Sequence, residues 1–112
     1  MVQLSKKNQI HKYVIGELPD GTAFLGIMPF SECQLHKEVM RASMQRLGVR
    51  IRCRGGGWLT ISGMDVALYG TSERYGKADH EKAAVLIPSL VPELAGARFM
   101  VEGLGPRPPA TN

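Results

Sequence analysis

The sequence predicts an α+β fold, an α/β sandwich with two helices packed on a mixed sheet of about six strands, in the order ββαβββαβ. Three observations lead there. Short runs alternate apolar and polar residues with period two, two longer stretches place apolar residues at helical spacing, and Asp-Gly, Gly-rich and Pro segments separate them.

IHKYVIGEL, residues 10–18, reads as the first strand, and AFLGIM, residues 23–28, as its partner. The Asp20-Gly21 pair between them is a hairpin signal. Ser31-Glu32-Cys33-Gln34 fits a capping box, and Gly48 fits the position just past a helix end. On the helix between them, Leu35, Val39, Met40, Ser43, Met44 and Leu47 share one half of the cylinder, and His36 falls in the middle of that half. VRIRCR, residues 49–54, alternates, with Val49, Ile51 and Cys53 toward the core and Arg50, Arg52 and Arg54 away from it. Gly55, Gly56 and Gly57 then separate that strand from WLTIS, residues 58–62. Gly63 turns the chain into DVALYG, residues 65–70. Residues 78–87 read as the second helix, stopped by Pro88, and ARFMVE, residues 97–102, as the last strand. Residues 1–102 make one domain; residues 103–112 are a Pro-rich tail with little to bury.

The chain has 112 residues, 44% hydrophobic and 21% charged, which are globular values. No apolar run spans a bilayer and the N-terminus lacks a signal-peptide core, so a soluble, cytoplasmic protein without a membrane partner is expected. The cysteines, Cys33 and Cys53, are too few for a disulfide framework and form no CxxC pair, so reduced thiols and no bound metal are expected. A net charge of +4 favours an anionic partner without choosing between phosphate, an acidic protein and nucleic acid. No aromatic residues interleave Arg50, Arg52 and Arg54, which places nucleic acid last; these arginines also fit a solvated strand face.

Five features carry possible chemistry. YGTSERYGKADH, residues 69–80, joins an apolar strand to a helix through a Gly-broken, hydroxyl-bearing loop. In such a loop, backbone N–H groups and the helix start favour an anion. Three glycines after a strand mean backbone that something approaches closely, either a ligand or a crossing segment; a bulged hairpin is the alternative. His36 is either a catalytic imidazole or a hydrogen-bonded core histidine. Lys12 lies mid-strand, and His80 opens the second helix, facing either an anion or solvent.

Together these pieces resemble the Janus family, whose best-known member is a phosphohistidine phosphatase. The resemblance rests on KYV at Lys12, HKEV at His36, CRGGG at Cys53, and YGTSERYGKADH, with Pro92 beyond. It covers roughly residues 12–92. The spacing from His36 to the glycines is shorter than the family's: an ungapped match sets Cys33 at the catalytic position, whereas the following Glu38 and Val39 and its inward face match His36 to it. The resemblance implies a metal- and cofactor-independent enzyme that hydrolyses the P–N bond of phosphohistidine, or of phospholysine, in a phosphorylated protein substrate. It makes His36 the nucleophile or general base and Lys12 the phosphate-side cation. It places Gly55, Gly56, Gly57, Thr71, Ser72, Arg74, Tyr75 and His80 at the phosphate, cradled by residues 69–76. Trp58 stands where the family usually has Arg. That departure favours the alternative, a catalytically silent phosphate- or protein-binding module of the same fold.

Overall fold

Two helices on opposite faces of one twisted sheet set the geometry of everything that follows. The computed structural model describes residues 2–4, 10–31 and 35–101. In chain order the elements are β1 (Ile10–Glu17), β2 (Ala23–Pro29), α1 (His36–Leu47), β3 (Arg52–Ser62), β4 (Asp65–Tyr69), α2 (His80–Leu90), a 3-10 turn (Pro92–Leu94) and β5 (Arg98–Val101). The sheet order is β2-β1-β3-β4-β5; β4 and β5 run parallel and every other pair antiparallel.

Because side chains alternate along a strand, β1 feeds both faces. Val14 joins Phe24, Met28, Val39, Met40 and Ile51 under α1, whereas Tyr13 and Ile15 join Leu59, Leu68, Ala83 and Ile87 under α2. The hairpin closes as its Asp-Gly signal predicts, with Gly21 at φ 88° and the Thr22 N–H donating to Asp20 Oδ1. Helix α1 ends at Gly48, which takes the left-handed conformation (φ 68°) and donates its N–H to Met44 O. Its start differs from expectation: the cap is Leu35, whose N–H donates to Glu38 Oε1 at 3.0 Å. The expected box runs into residues 32–34, and these, with Cys33, lie outside the described residues. So does the tail 103–112.

The strand count is corrected from six to five, because the glycines do not end a strand. Residues 52–62 form one continuous β3, with Gly55, Gly56 and Gly57 opposite Ile15, Val14 and Tyr13 of β1. The extra residue is absorbed by a bulge: Ile15 pairs with Gly55 but Gly16 with Cys53, so Arg54 is skipped. Val49 is not a core residue; it precedes the strand and is 40% exposed, while Ile51 is buried. Pro88 does not stop α2 either. It sits in the last turns, and the helix continues to Leu90, with the Val91 N–H donating to Ile87 O. Among the described residues no helix is long and apolar enough to cross a membrane.

Candidate functional site

Helix α1 covers β1 and β2 on its face of the sheet, and beside it a loop folds down onto β3. The loop is residues 70–78. Gly56 N–H donates to Gly76 O and Ala78 N–H to Gly56 O, both at 3.0 Å, so the loop docks edge-on against the glycines. This is the close approach that three glycines make possible. A Cβ on Gly55 would lie 2.8 Å from the Ala78 backbone. On Gly56 it would lie 2.7 Å from the His36 ring and 3.1 Å from Ser72 Cβ. On Gly57 it would lie 2.6 Å from the His80 ring. Successive residues face opposite ways, so Gly56 floors the His36 side and Gly57 the other.

His36 is the first residue of α1 and is wholly buried. Its Nε2 lies 2.8 Å from Gly57 O. A carbonyl only accepts, so Nε2 carries the proton and Nδ1 carries the lone pair. Nδ1 is buried and has no hydrogen-bond partner among the described residues. Burial holds the imidazole pKa down to about 4, with the Gly57 bond opposing and nearby Lys12 adding to the fall. The ring is therefore held neutral at pH 7, with the Nδ1 lone pair unpaired among the described residues.

Lys12 faces the same side. It is directly opposite Trp58 across the β1–β3 ladder and has no exposed surface. Its ammonium lies 5.5 Å from the Phe30 ring centre and 5.7 Å from that of Trp58, with no hydrogen-bond acceptor among the described residues. Burial lowers its pKa, and the carboxylate of Glu73 pulls it back up. Trp58 Nε1 is likewise buried without a partner. One sheet face thus gathers two unpaired donors and one unpaired acceptor, an expensive arrangement unless a ligand completes it.

The loop is tied to itself. Ser72 and Gly76 exchange backbone hydrogen bonds of 3.3 and 2.8 Å, and Tyr75 N–H donates to Ser72 Oγ at 3.1 Å. The amides of Ser72 and Tyr75 are therefore consumed within the loop. Those of Glu73 and Arg74 make no hydrogen bond among the described residues, and the Ser72 hydroxyl keeps its own proton to donate. Gly70 (φ 74°) and Gly76 (φ 81°) take backbone conformations that require glycine at the two ends of the turn.

The structure brings together His36, Lys12, Gly56 and Ser72. Thr71 and Arg74 are exposed; Arg74 stacks over the Tyr75 ring at 5.7 Å, and Tyr75 packs against the cluster under α1. His80 is separate. It lies on the α2 face, 2% exposed, its Nε2 bonded to Gly70 O at 2.9 Å and its Nδ1 to the Tyr13 hydroxyl. Sequence reasoning missed Phe30 and Glu73 as neighbours of Lys12. Glu73 stood inside the loop motif, but Phe30 has no sequence signal beyond following Met28, the β2 partner of Lys12. Cys53 is half-buried; burial raises its thiol pKa, the wrong direction for a nucleophile. Among the described residues no three metal-ligating side chains cluster. A surface concavity of about 540 Å³, lined by Glu17, Arg50, Ile51 and Arg52 among others, includes none of His36, Lys12, Gly56 and Ser72.

The Janus/Ocnus family (Ocnus) matches residues 2–94. The sex-regulated protein janus-A of Drosophila melanogaster is 29% identical over 91 residues, spanning 75% of this chain and 67% of the fly protein. The janus-A proteins of Drosophila mauritiana and Drosophila simulans match to the same extent.

Proposed function

The chain belongs to the Janus/Ocnus family, and on that footing we propose that it hydrolyses the P–N bond of phosphohistidine, or of phospholysine, in proteins. One observation carries this reading: a wholly buried, neutral His36 whose Nε2–H is held by Gly57 and whose Nδ1 is left unpaired beside an unpaired Lys12 ammonium. In the proposed reaction the phosphoryl oxygens accept hydrogen bonds from Ser72 Oγ, the Glu73 and Arg74 amides and Lys12 Nζ. This fixes the phosphorus and spreads its charge. His36 Nδ1 attacks phosphorus as the P–N bond breaks, and the leaving nitrogen takes up a proton. Water then cleaves the phosphorylated His36 to orthophosphate, restoring the imidazole. In the base variant, His36 removes a proton from the attacking water instead.

The deciding experiment is hydrolysis of a phosphohistidine peptide by wild type, His36→Ala and Cys33→Ala. The reading expects turnover by wild type and by Cys33→Ala and loss in His36→Ala. Full activity in His36→Ala would sink it. A phosphorylated His36 trapped by rapid acid-free quenching and mass spectrometry selects the nucleophile over the base. Trp58, which stands where the family resemblance expects Arg, favours the second reading, a silent phosphate-binding module. That reading expects phosphate binding without turnover.

A further inference from the structure

We propose that His80 and Tyr13, on the opposite face of the sheet from His36, are positioning residues that hold the anion loop in its donor geometry. The proposal rests on reading residues 70–76 as an anion cradle. The loop needs an anchor at each end. At its far end β3 provides one, through Gly56 and the Gly76 and Ala78 backbones. At its near end the sheet provides none, because the β3–β4 ladder stops at the Trp58–Tyr69 pair. Gly70, the next residue, turns away at φ 74°. Its carbonyl instead accepts from His80 Nε2 at 2.9 Å. Nε2 must therefore carry the ring proton, and Nδ1 then accepts from the Tyr13 hydroxyl. Tyr13 has no exposed surface, so the strut runs through the sheet's interior from β1 to the loop.

Gly57 makes the strut possible and joins it to the reacting side. Any Cβ there would collide with both the His80 and Tyr13 rings, at 2.6 and 3.0 Å. The carbonyl of the same residue accepts the His36 Nε2–H. The two histidines thus touch one backbone unit from opposite faces, one as the candidate reacting group and the other as the support of the loop facing it. Removing the Tyr13 hydroxyl leaves the Nε2–H tautomer in place but cuts the ring's tie to β1, so the donor to the Gly70 carbonyl is held less firmly. The Glu73 and Arg74 amides, which lie between the loop's two anchors, are then held less firmly.

The test compares Tyr13→Phe, His80→Leu and His80→Gln with wild type, by amide hydrogen exchange and by inorganic phosphate titration followed by NMR. Tyr13→Phe keeps the buried ring and guards against a His80→Leu variant that fails to fold. Tyr13→Phe and His80→Leu should weaken phosphate binding about tenfold, the scale of one net hydrogen bond. Exchange at residues 71–76 should quicken several-fold while β1 and β3 stay protected. His80→Gln, whose amide can donate to Gly70, should recover most of the affinity. Unchanged loop exchange in Tyr13→Phe, uniform acceleration across the sheet, or a glutamine variant as weak as the leucine one would overturn the proposal. Wild type that binds no phosphate would remove the anion reading itself, a failure that the exchange data separate from failure of the strut.

Discussion

His36 and Gly57 are joined by one hydrogen bond, 2.8 Å from ring Nε2 to carbonyl oxygen, and that bond decides which imidazole nitrogen is free for chemistry. A donor at Nε2 leaves the lone pair on Nδ1.

The protonation of His36 makes stability pH-dependent with a definite sign. Its pKa falls from 6.5 to about 4 on folding, so the unfolded chain binds more protons between those values. The stability tied to the neutral ring is fully present above pH 6.5 and is lost as pH falls toward 4. The loss is on the order of 3 kcal/mol when complete. Urea denaturation between pH 4 and 7 should show this slope in wild type and a shallower one in His36→Gln. NMR titration of the His36 ring should show no midpoint near 6.5.

Lys12 is a buried ammonium with no hydrogen-bond acceptor among the described residues, and the proposed reading gives its charge to a bound phosphate. Lys12→Met keeps the volume and removes the desolvation cost. Thermal unfolding should show equal or higher stability, by about 1 kcal/mol. Phosphate affinity should fall about tenfold, the loss of one charge-assisted hydrogen bond. A large drop in stability with unchanged phosphate binding would assign Lys12 a purely structural role.

Gly56→Ala sets a methyl group against the His36 ring at 2.7 Å and the Tyr13 carbonyl at 3.0 Å. The expected cost is about 1–3 kcal/mol, the range of overpacking, with activity lost beyond what stability explains because the ring moves off Gly57 O. Gly21→Ala is the control. Nothing lies near a Cβ there, and only the positive φ of 88° is strained, so a loss of about 1 kcal/mol with full activity is expected.

Trp58→Arg places a guanidinium beside Lys12. It removes the edge contact with Tyr69 and the packing over Gly70, where the indole fills the space a Cβ would enter at 2.8 Å. The variant should bind phosphate about tenfold more tightly at low salt and lose that gain as salt rises. It should be less stable by roughly 1–2 kcal/mol, the aromatic pair and part of the indole's burial being lost. Tighter binding that persists at high salt would mean that the guanidinium makes a bidentate contact rather than a screened one.

Much of the local structure was legible. Asp20-Gly21 fixed the hairpin, Gly48 fixed the end of α1, and the spacing of Val39, Met40 and Ser43 put His36 on the buried half of that helix. These are signals within one turn or one helix. The errors were of another kind. Gly55, Gly56 and Gly57 read as a break between strands because glycine weakens a strand taken alone. In the folded sheet they are central residues kept bare by His36, Ser72, Ala78 and His80, all distant in sequence. Pro88 read as a stop, yet the last turns of α2 tolerate the missing N–H.

The sequence by itself determined the first hairpin, the two helices and the inward face of His36, because periodicity, caps and turn residues act between near neighbours. Only the tertiary structure decided which groups share a face. Ladder register put Lys12 opposite Trp58 and laid the loop across Gly56 beside His36, and strand alternation sent His80 through to the far side at Gly57. Register depends on residues far apart in the chain, and a shift by one residue would exchange the two faces.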